Sequence, residues 1–261
     1  MTTVTTVTAV TAVTAVTTVT TVTTVTTDWI EELRTRVAPL VGDAALTAPR
    51  VTVAIAVALL AVAVGPVWGV VRLAVTLVHE LGHAFVGIAV GRTFTGFVLR
   101  GDMSGHAVTK GRSRGVGRVV TTWAGYPAPA VVGAALVWGA GRGWAAPALA
   151  VVLLLLVVSL IRVRSLLTLV VMLVVLAAGG ALWWWRDDAL QAQVLLGLGL
   201  VLLVGAWRHL GAVAADRSGG SDPGVLAQLT HVPRLLWNGT FALVCGAGSF
   251  VAATQVVALL R

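Results

Sequence analysis

Beyond residue 50 the chain is a succession of long apolar runs, separated by short clusters of Arg, Gly and Pro. A helix needs about 20 apolar residues to cross the hydrocarbon core of a bilayer. The runs predict seven such helices, at 51–67, 70–90, 119–139, 144–160, 165–184, 189–207 and 237–258. Val51 to Gly91 is almost unbroken, and the turn is placed at Gly65-Pro66 because Pro disrupts a helix interior. Ahead of the runs, Asp28 to Val37 has the pattern of a short amphipathic helix. Asp28 is a suitable N-cap with Glu31 three residues on, and Ile30, Leu33 and Val37 share a face. Residues 28–50 are therefore expected to form a juxtamembrane segment, and 51–258 the membrane-embedded domain. Residues 1–27 form a Thr/Val/Ala tract without a basic start or a continuous apolar stretch. The tract is not a signal peptide and is too polar to span, so it reads as a disordered tail.

Composition agrees with the pattern. Of 261 residues, 58% are hydrophobic and 11% charged, against about 25% charged in soluble domains. The expected fold is an all-α polytopic membrane protein with about six to seven spanning helices. Net charge is +8, but the basic residues sit between apolar runs, where they set topology. No basic stripe with interleaved aromatics lies on a soluble domain, which argues against nucleic acid as a partner. With the N-terminus inside, Arg34, Arg36, Arg50, Arg92, Arg100, Lys110, Arg112, Arg114, Arg118, Arg162, Arg164, Arg208, Arg217 and Arg234 fall on the cytoplasmic side. Arg72, Arg142, Arg186 and Arg261 remain outside. This asymmetry predicts a multi-pass protein of the plasma (inner) membrane with a cytoplasmic N-terminus. It sets no oligomeric state.

The chemistry is concentrated in His79-Glu80-Leu81-Gly82-His83, inside the second run. Positions i and i+4 of a helix are neighbours on one face, so both imidazoles can reach one metal. Glu80 stands beside them, placed to take a proton from a water that zinc acidifies toward a pKa of about 7. Two core histidines and a stray carboxylate would be the bland alternative. Ionisable groups within a span cost a few kcal/mol each, however, so three in five residues argue for a metal site. Cys245 is the sole cysteine, which excludes Cys-rich zinc sites.

These residues resemble the site-2 protease family of intramembrane zinc metalloproteases. The resemblance rests on Val78-His79-Glu80-Leu81-Gly82-His83-Ala84, Ala124-Gly125-Tyr126-Pro127-Ala128-Pro129 and Ser221-Asp222-Pro223 through Leu226. No Asn follows Gly125 and no PDZ domain has room, so it is to a compact, divergent branch. It implies Zn2+ held by His79, His83 and Asp222, and Glu80 as the catalytic base. It also implies a membrane-spanning protein substrate cleaved near the cytoplasmic face.

A catalytic zinc keeps three protein ligands, and the remaining candidates are Asp102, His106, Asp187, Asp188, His209, Asp216, Asp222 and His231. Asp187 and Asp188 fall on the outer side in the predicted topology. Asp222 is favoured by the resemblance, although Ser221-Asp222-Pro223 would also make a good helix start with Asp222 as its cap. Asp216 or a histidine stays open as the ligand.

Residues 92–118 contain two β-compatible runs, Phe94–Leu99 and His106–Val108, around Gly101-Asp102, which predicts a hairpin. In the family, a hairpin at this place offers an edge strand to the substrate, which points to Gly105 and His106 as substrate-binding positions. Two other function classes fit the composition. A catalytically inactive zinc-stabilised scaffold would keep the fold, and a metal transporter would carry ionisable groups along a path through several helices.

Overall fold

The computed structural model describes residues 29–41, 46–100, 105–216 and 219–261. By contacts the chain divides into two compact units, residues 1–38 and 39–261. In the first, residues 29–37 form helix α1. Its polar side is tied by Arg34–Glu31 at 2.9 Å and Arg36–Glu32 at 2.7 Å. Trp29, Ile30, Leu33 and Val37 are left exposed. The Thr/Val tract and the expected cap Asp28 lie outside the described residues.

Among the described residues the second unit is a helical bundle with one small sheet. Its elements are α2 (Ala48–Ala63), α3 (Gly65–Ala89), β1 (Thr93–Leu99), β2 (Gly105–Lys110), α4 (Val116–Trp123), α5 (Pro127–Gly141), α6 (Ala145–Leu160), α7 (Leu166–Trp184), α8 (Asp188–Ala215), α9 (Asp222–Thr230) and α10 (Arg234–Leu260). Each of the seven apolar runs is helical. Among the described residues four helices, α3, α7, α8 and α10, are long and apolar enough to cross a membrane. The bent pair α4–α5 makes a fifth, while α2 and α6 are apolar but only 16 residues each.

Helices α5 and α8 form the centre. A Cβ at Gly133 would come within 2.6 Å of the Gly199 carbonyl, and one at Gly199 equally close to Gly133. In lipid, where apolar burial drives little association, such backbone contact between small residues is what holds helices together. Helix α7 packs mainly on α6 and is largely outward-facing.

The structure changes the predicted scheme in two places. The run at 119–139 is not one helix: α4 and α5 meet at a 57° bend. Pro127 and Pro129 each lack an amide hydrogen, so the carbonyls of Trp123 and Gly125 have no i+4 donor and the ladder is interrupted there, with Ala128 N–H to the Ala124 carbonyl at 3.2 Å left between them. Second, Leu40 and residues 46–50 do not lie on the hairpin side. Leu40 N–H donates to the Gly143 carbonyl at 2.8 Å, beyond the far end of α5. Leu46 is buried in a cluster that includes Ala140, Ala145 and Ala192. From there α2 runs in the same direction as α8: Gly197 faces the Ala54 carbonyl, and Arg208 Nη1 donates to the Val62 carbonyl at 3.1 Å. Arg50 therefore belongs with the α5–α6 end rather than with the hairpin. Apolar periodicity is the same whichever way a helix points, so only tertiary contacts reveal the direction.

Strands β1 and β2 pair antiparallel, from Thr93↔Lys110 to Leu99↔Gly105, with a bulge between Phe94 and Gly96. The sheet is anchored on its β1 side. Phe97 N–H donates to the Arg162 carbonyl and the Arg164 N–H to the Phe97 carbonyl, both at 3.1 Å. Leu99 N–H donates to Thr168 Oγ1 at 2.8 Å. Since Phe97 and Leu99 turn their backbone groups away from β2, their partners Ala107 and Gly105 turn theirs to its free edge. The turn at Gly101-Asp102 lies outside the described residues.

Candidate metal centre

His79, Glu80 and His83 sit on one face of α3, where it meets the α4–α5 bend. The His79 and His83 Nε2 atoms are 3.1 Å apart. Asp222 brings Oδ2 to 3.4 Å from His79 Nε2 and 3.2 Å from His83 Nε2. The N-cap of α9 is Ser221, so Asp222 is its first residue and its carboxylate is turned to the histidines instead of capping the helix. Burial alone would push the Asp222 carboxyl up. The two imidazoles beside it outweigh this and hold it below the usual carboxylate range.

Three features show that this trio suits a metal ion better than direct hydrogen bonding. A tetrahedral site with arms of about 2.0–2.1 Å has ligand atoms about 3.3–3.4 Å apart, close to the three separations found. His83 Nδ1 donates to the Thr121 carbonyl at 2.7 Å, and a carbonyl can only accept. That contact leaves Nε2 of a neutral His83 as a lone pair facing the site, the usual arrangement behind a metal-ligating histidine. Finally, Asp222 Oδ2 is buried yet aligned for no hydrogen bond, despite its nearness to both rings. His79, His83 and Asp222 are thus a group that could hold a metal ion.

Glu80 is 5% exposed and lies against the hairpin: a Cβ at Gly105 would come within 2.5 Å of Glu80 Oε1. Gly105 is therefore what allows β2 so close to the carboxylate. A cavity of about 290 Å³ joins these parts, lined by His79, Glu80, His83 and Asp222 together with Gly105 and His106.

The other candidates are held elsewhere. Asp187 caps α8, accepting from Leu190 N–H at 2.9 Å, and Asp188 pairs with Arg186 at 2.8 Å. Asp216 ends α8 on the surface, and His231 closes α9 in a left-handed conformation with φ 60°. His209 comes nearer, its ring centroid 6.3 Å from that of His79, but it does not join the trio. Asp102 lies outside the described residues.

Two participants were not anticipated from the sequence. Tyr126 stands edge-on to His79 at 4.8 Å between centroids and stacks on Phe241 at 5.0 Å. As the single tyrosine, next to Gly125 and the prolines, it could have been noticed. Thr121 acts through its backbone carbonyl, which no residue pattern signals.

No curated protein and no solved structure gives a significant match to the chain. A sequence model of a protein family does match, over residues 52–252, and its description is Peptidase M50B-like. The match takes in every element from α3 to α9 and all three residues of the trio. It spans well over half of the 261 residues, and the site-2 protease resemblance points the same way. The chain belongs to the Peptidase M50B-like family.

Proposed function

We propose that the protein is an intramembrane zinc metallopeptidase that hydrolyses a peptide bond of a membrane-spanning protein. The observation that carries this reading is the convergence of His79, His83 and Asp222 on a cavity shared with Glu80 and a free strand edge. The trio would hold zinc, which supplies Lewis-acid activation of water and of the scissile carbonyl at neutral pH. His79 and Asp222 complete a ligand set that Thr121 helps to orient through His83. Glu80 takes a proton from the attacking water and returns it to the leaving amine nitrogen, the general acid–base role. Gly105 lets its buried carboxylate lie directly against β2, in the wall of the cavity.

Substrate binding follows from the backbone. An extended peptide laid along β2 would exchange hydrogen bonds with Gly105 and Ala107, whose N–H and C=O groups face the cavity side. His106 alternates to the other face of the ladder, exposed at the cavity rim. A helical span must unwind before it can pair in this way, so the susceptible substrate is a span weakened by Gly, Pro or polar residues near its end. The basic residues flanking the hairpin support the reading that this end lies at the cytoplasmic face of the plasma membrane. Leu40 and residues 46–50 then lie toward the opposite face.

The test is Glu80→Gln, which keeps size and hydrogen bonding but removes the base. Zinc content should equal that of the wild type. Cleavage of candidate single-span substrates, followed by immunoblotting, should fall by about 10²–10⁴-fold. Unchanged cleavage would refute the hydrolase reading and leave a zinc-stabilised scaffold.

A further inference from the structure

Another cavity, of about 340 Å³, lies at the base of the hairpin. Its charged lining consists of Arg92, Arg112, Arg114 and Arg118, with no carboxylate among the lining residues. The remaining wall is largely backbone, from Gly111 through Gly117, where α4 begins. Gly115 is the N-cap of α4 with φ 101° and brings no side chain to the first turn; the Arg118 N–H donates to the Gly115 carbonyl at 3.0 Å, while Val116 and Gly117, which line the cavity, have no side-chain cap for their amides.

Arg92 makes this more than a loop rich in arginine. It is buried, and its guanidinium donates only to uncharged groups: Nε to Thr109 Oγ1 at 3.2 Å, Nη1 to the Arg112 carbonyl at 2.8 Å and Nη2 to the Thr109 carbonyl at 3.3 Å. A buried charge without a counter-charge is costly. Burial and the nearby Arg118 both pull the Arg92 pKa below its ordinary value. No ion pair to a carboxylate relieves Arg112, Arg114 or Arg118 among the described residues. The position of the cavity narrows the ligand. Candidate spans α3 and α4–α5 both end there, at Ala89 and Val116, so it opens at the membrane–water boundary.

We propose that this cavity binds a phosphate group, as a phosphomonoester or phosphodiester anion, between the four arginines and the Val116 and Gly117 amides that begin α4. Guanidinium forks and helix N-termini are the groups that recognise phosphate. At the end of two spans the phosphate can be that of an anionic lipid headgroup or of a soluble ion. Arg118 also lines the metal-site cavity, and Thr109, held by Arg92, lines it too. A phosphate there would neutralise the charges that fix the base of the substrate-pairing strand. This inference does not depend on the protease reading.

Full-length protein is placed in nanodiscs of phosphatidylcholine with phosphatidylglycerol, and the lipids it retains are counted by native mass spectrometry. In a second arm, delipidated protein in detergent is dialysed to equilibrium against radiolabelled inorganic phosphate. Retention of phosphatidylglycerol over phosphatidylcholine identifies a headgroup; phosphate binding without it identifies the soluble ion. Arg112→Gln combined with Arg114→Gln alters two exposed side chains and should lower whichever binding is seen by about tenfold or more. Arg142→Gln, at the far end of α5, should leave it unchanged. Binding in neither arm, or equal binding by the Arg112→Gln/Arg114→Gln protein, would overturn the proposal.

Discussion

Replacing Gly125 by Ala tests the metal centre without touching a ligand. A Cβ at this position would overlap His83 Nε2 and would lie 2.7 Å from His79 Nε2. Neither ring can move aside freely. His83 is tied to Thr121 through Nδ1, and His79 is wedged against Tyr126. Elsewhere a Gly→Ala change in an unstrained helical segment stabilises by about 0.4–1 kcal/mol, and Gly125 has no left-handed backbone to forbid it. Overpacking costs about 1–3 kcal/mol. Here that cost falls on the two imidazoles, so zinc affinity should drop by roughly 5- to 150-fold, at about 1.4 kcal/mol per decade. The assay is competition with a calibrated chelator on purified protein, alongside thermal unfolding of the metal-free form. The metal-free form should lose less, because without a metal the two rings need not keep both Nε2 atoms on one point and can tilt away from the methyl. Wild-type zinc affinity in Gly125→Ala would refute the placement of the metal between His79 and His83.

Other expectations follow from the same geometry. Asp222→Ala should abolish stoichiometric zinc, measured by elemental analysis, in protein that thermal unfolding shows to be folded; full zinc retention would move the role to another group. Ala107→Pro removes one edge N–H of β2 and should raise substrate KM with zinc content unchanged; equal KM would exclude pairing along that edge. With Cys245 replaced, cysteines introduced at Ser113 and Thr47 should be labelled from opposite sides of the membrane by an impermeant maleimide. Labelling from one side would restore the two-span hairpin predicted for residues 51–90.

The seven apolar helices and the His79–Glu80–His83 face follow from local rules: run length, 3.6-residue periodicity and the fixed spacing of i and i+4. Those properties depend only on neighbours along the chain, and the sequence carries them openly. Even Gly65-Pro66 marks its turn correctly, at the start of α3. Tertiary contacts decided the rest. A helix buries the same apolar face whether it runs up or down, so the course of α2 came from Leu40 on Gly143 and Arg208 on Val62. Asp222 carries two local possibilities, cap or ligand, and what separates them is whether α9 packs its first turn against α3 or leaves it in solvent. The Thr121 carbonyl, the Tyr126 ring and the basic cavity at Arg92 belong to no motif. Each acts through a position in space that packing alone assigns, because backbone groups look alike in every residue and a charge acquires meaning only from what surrounds it.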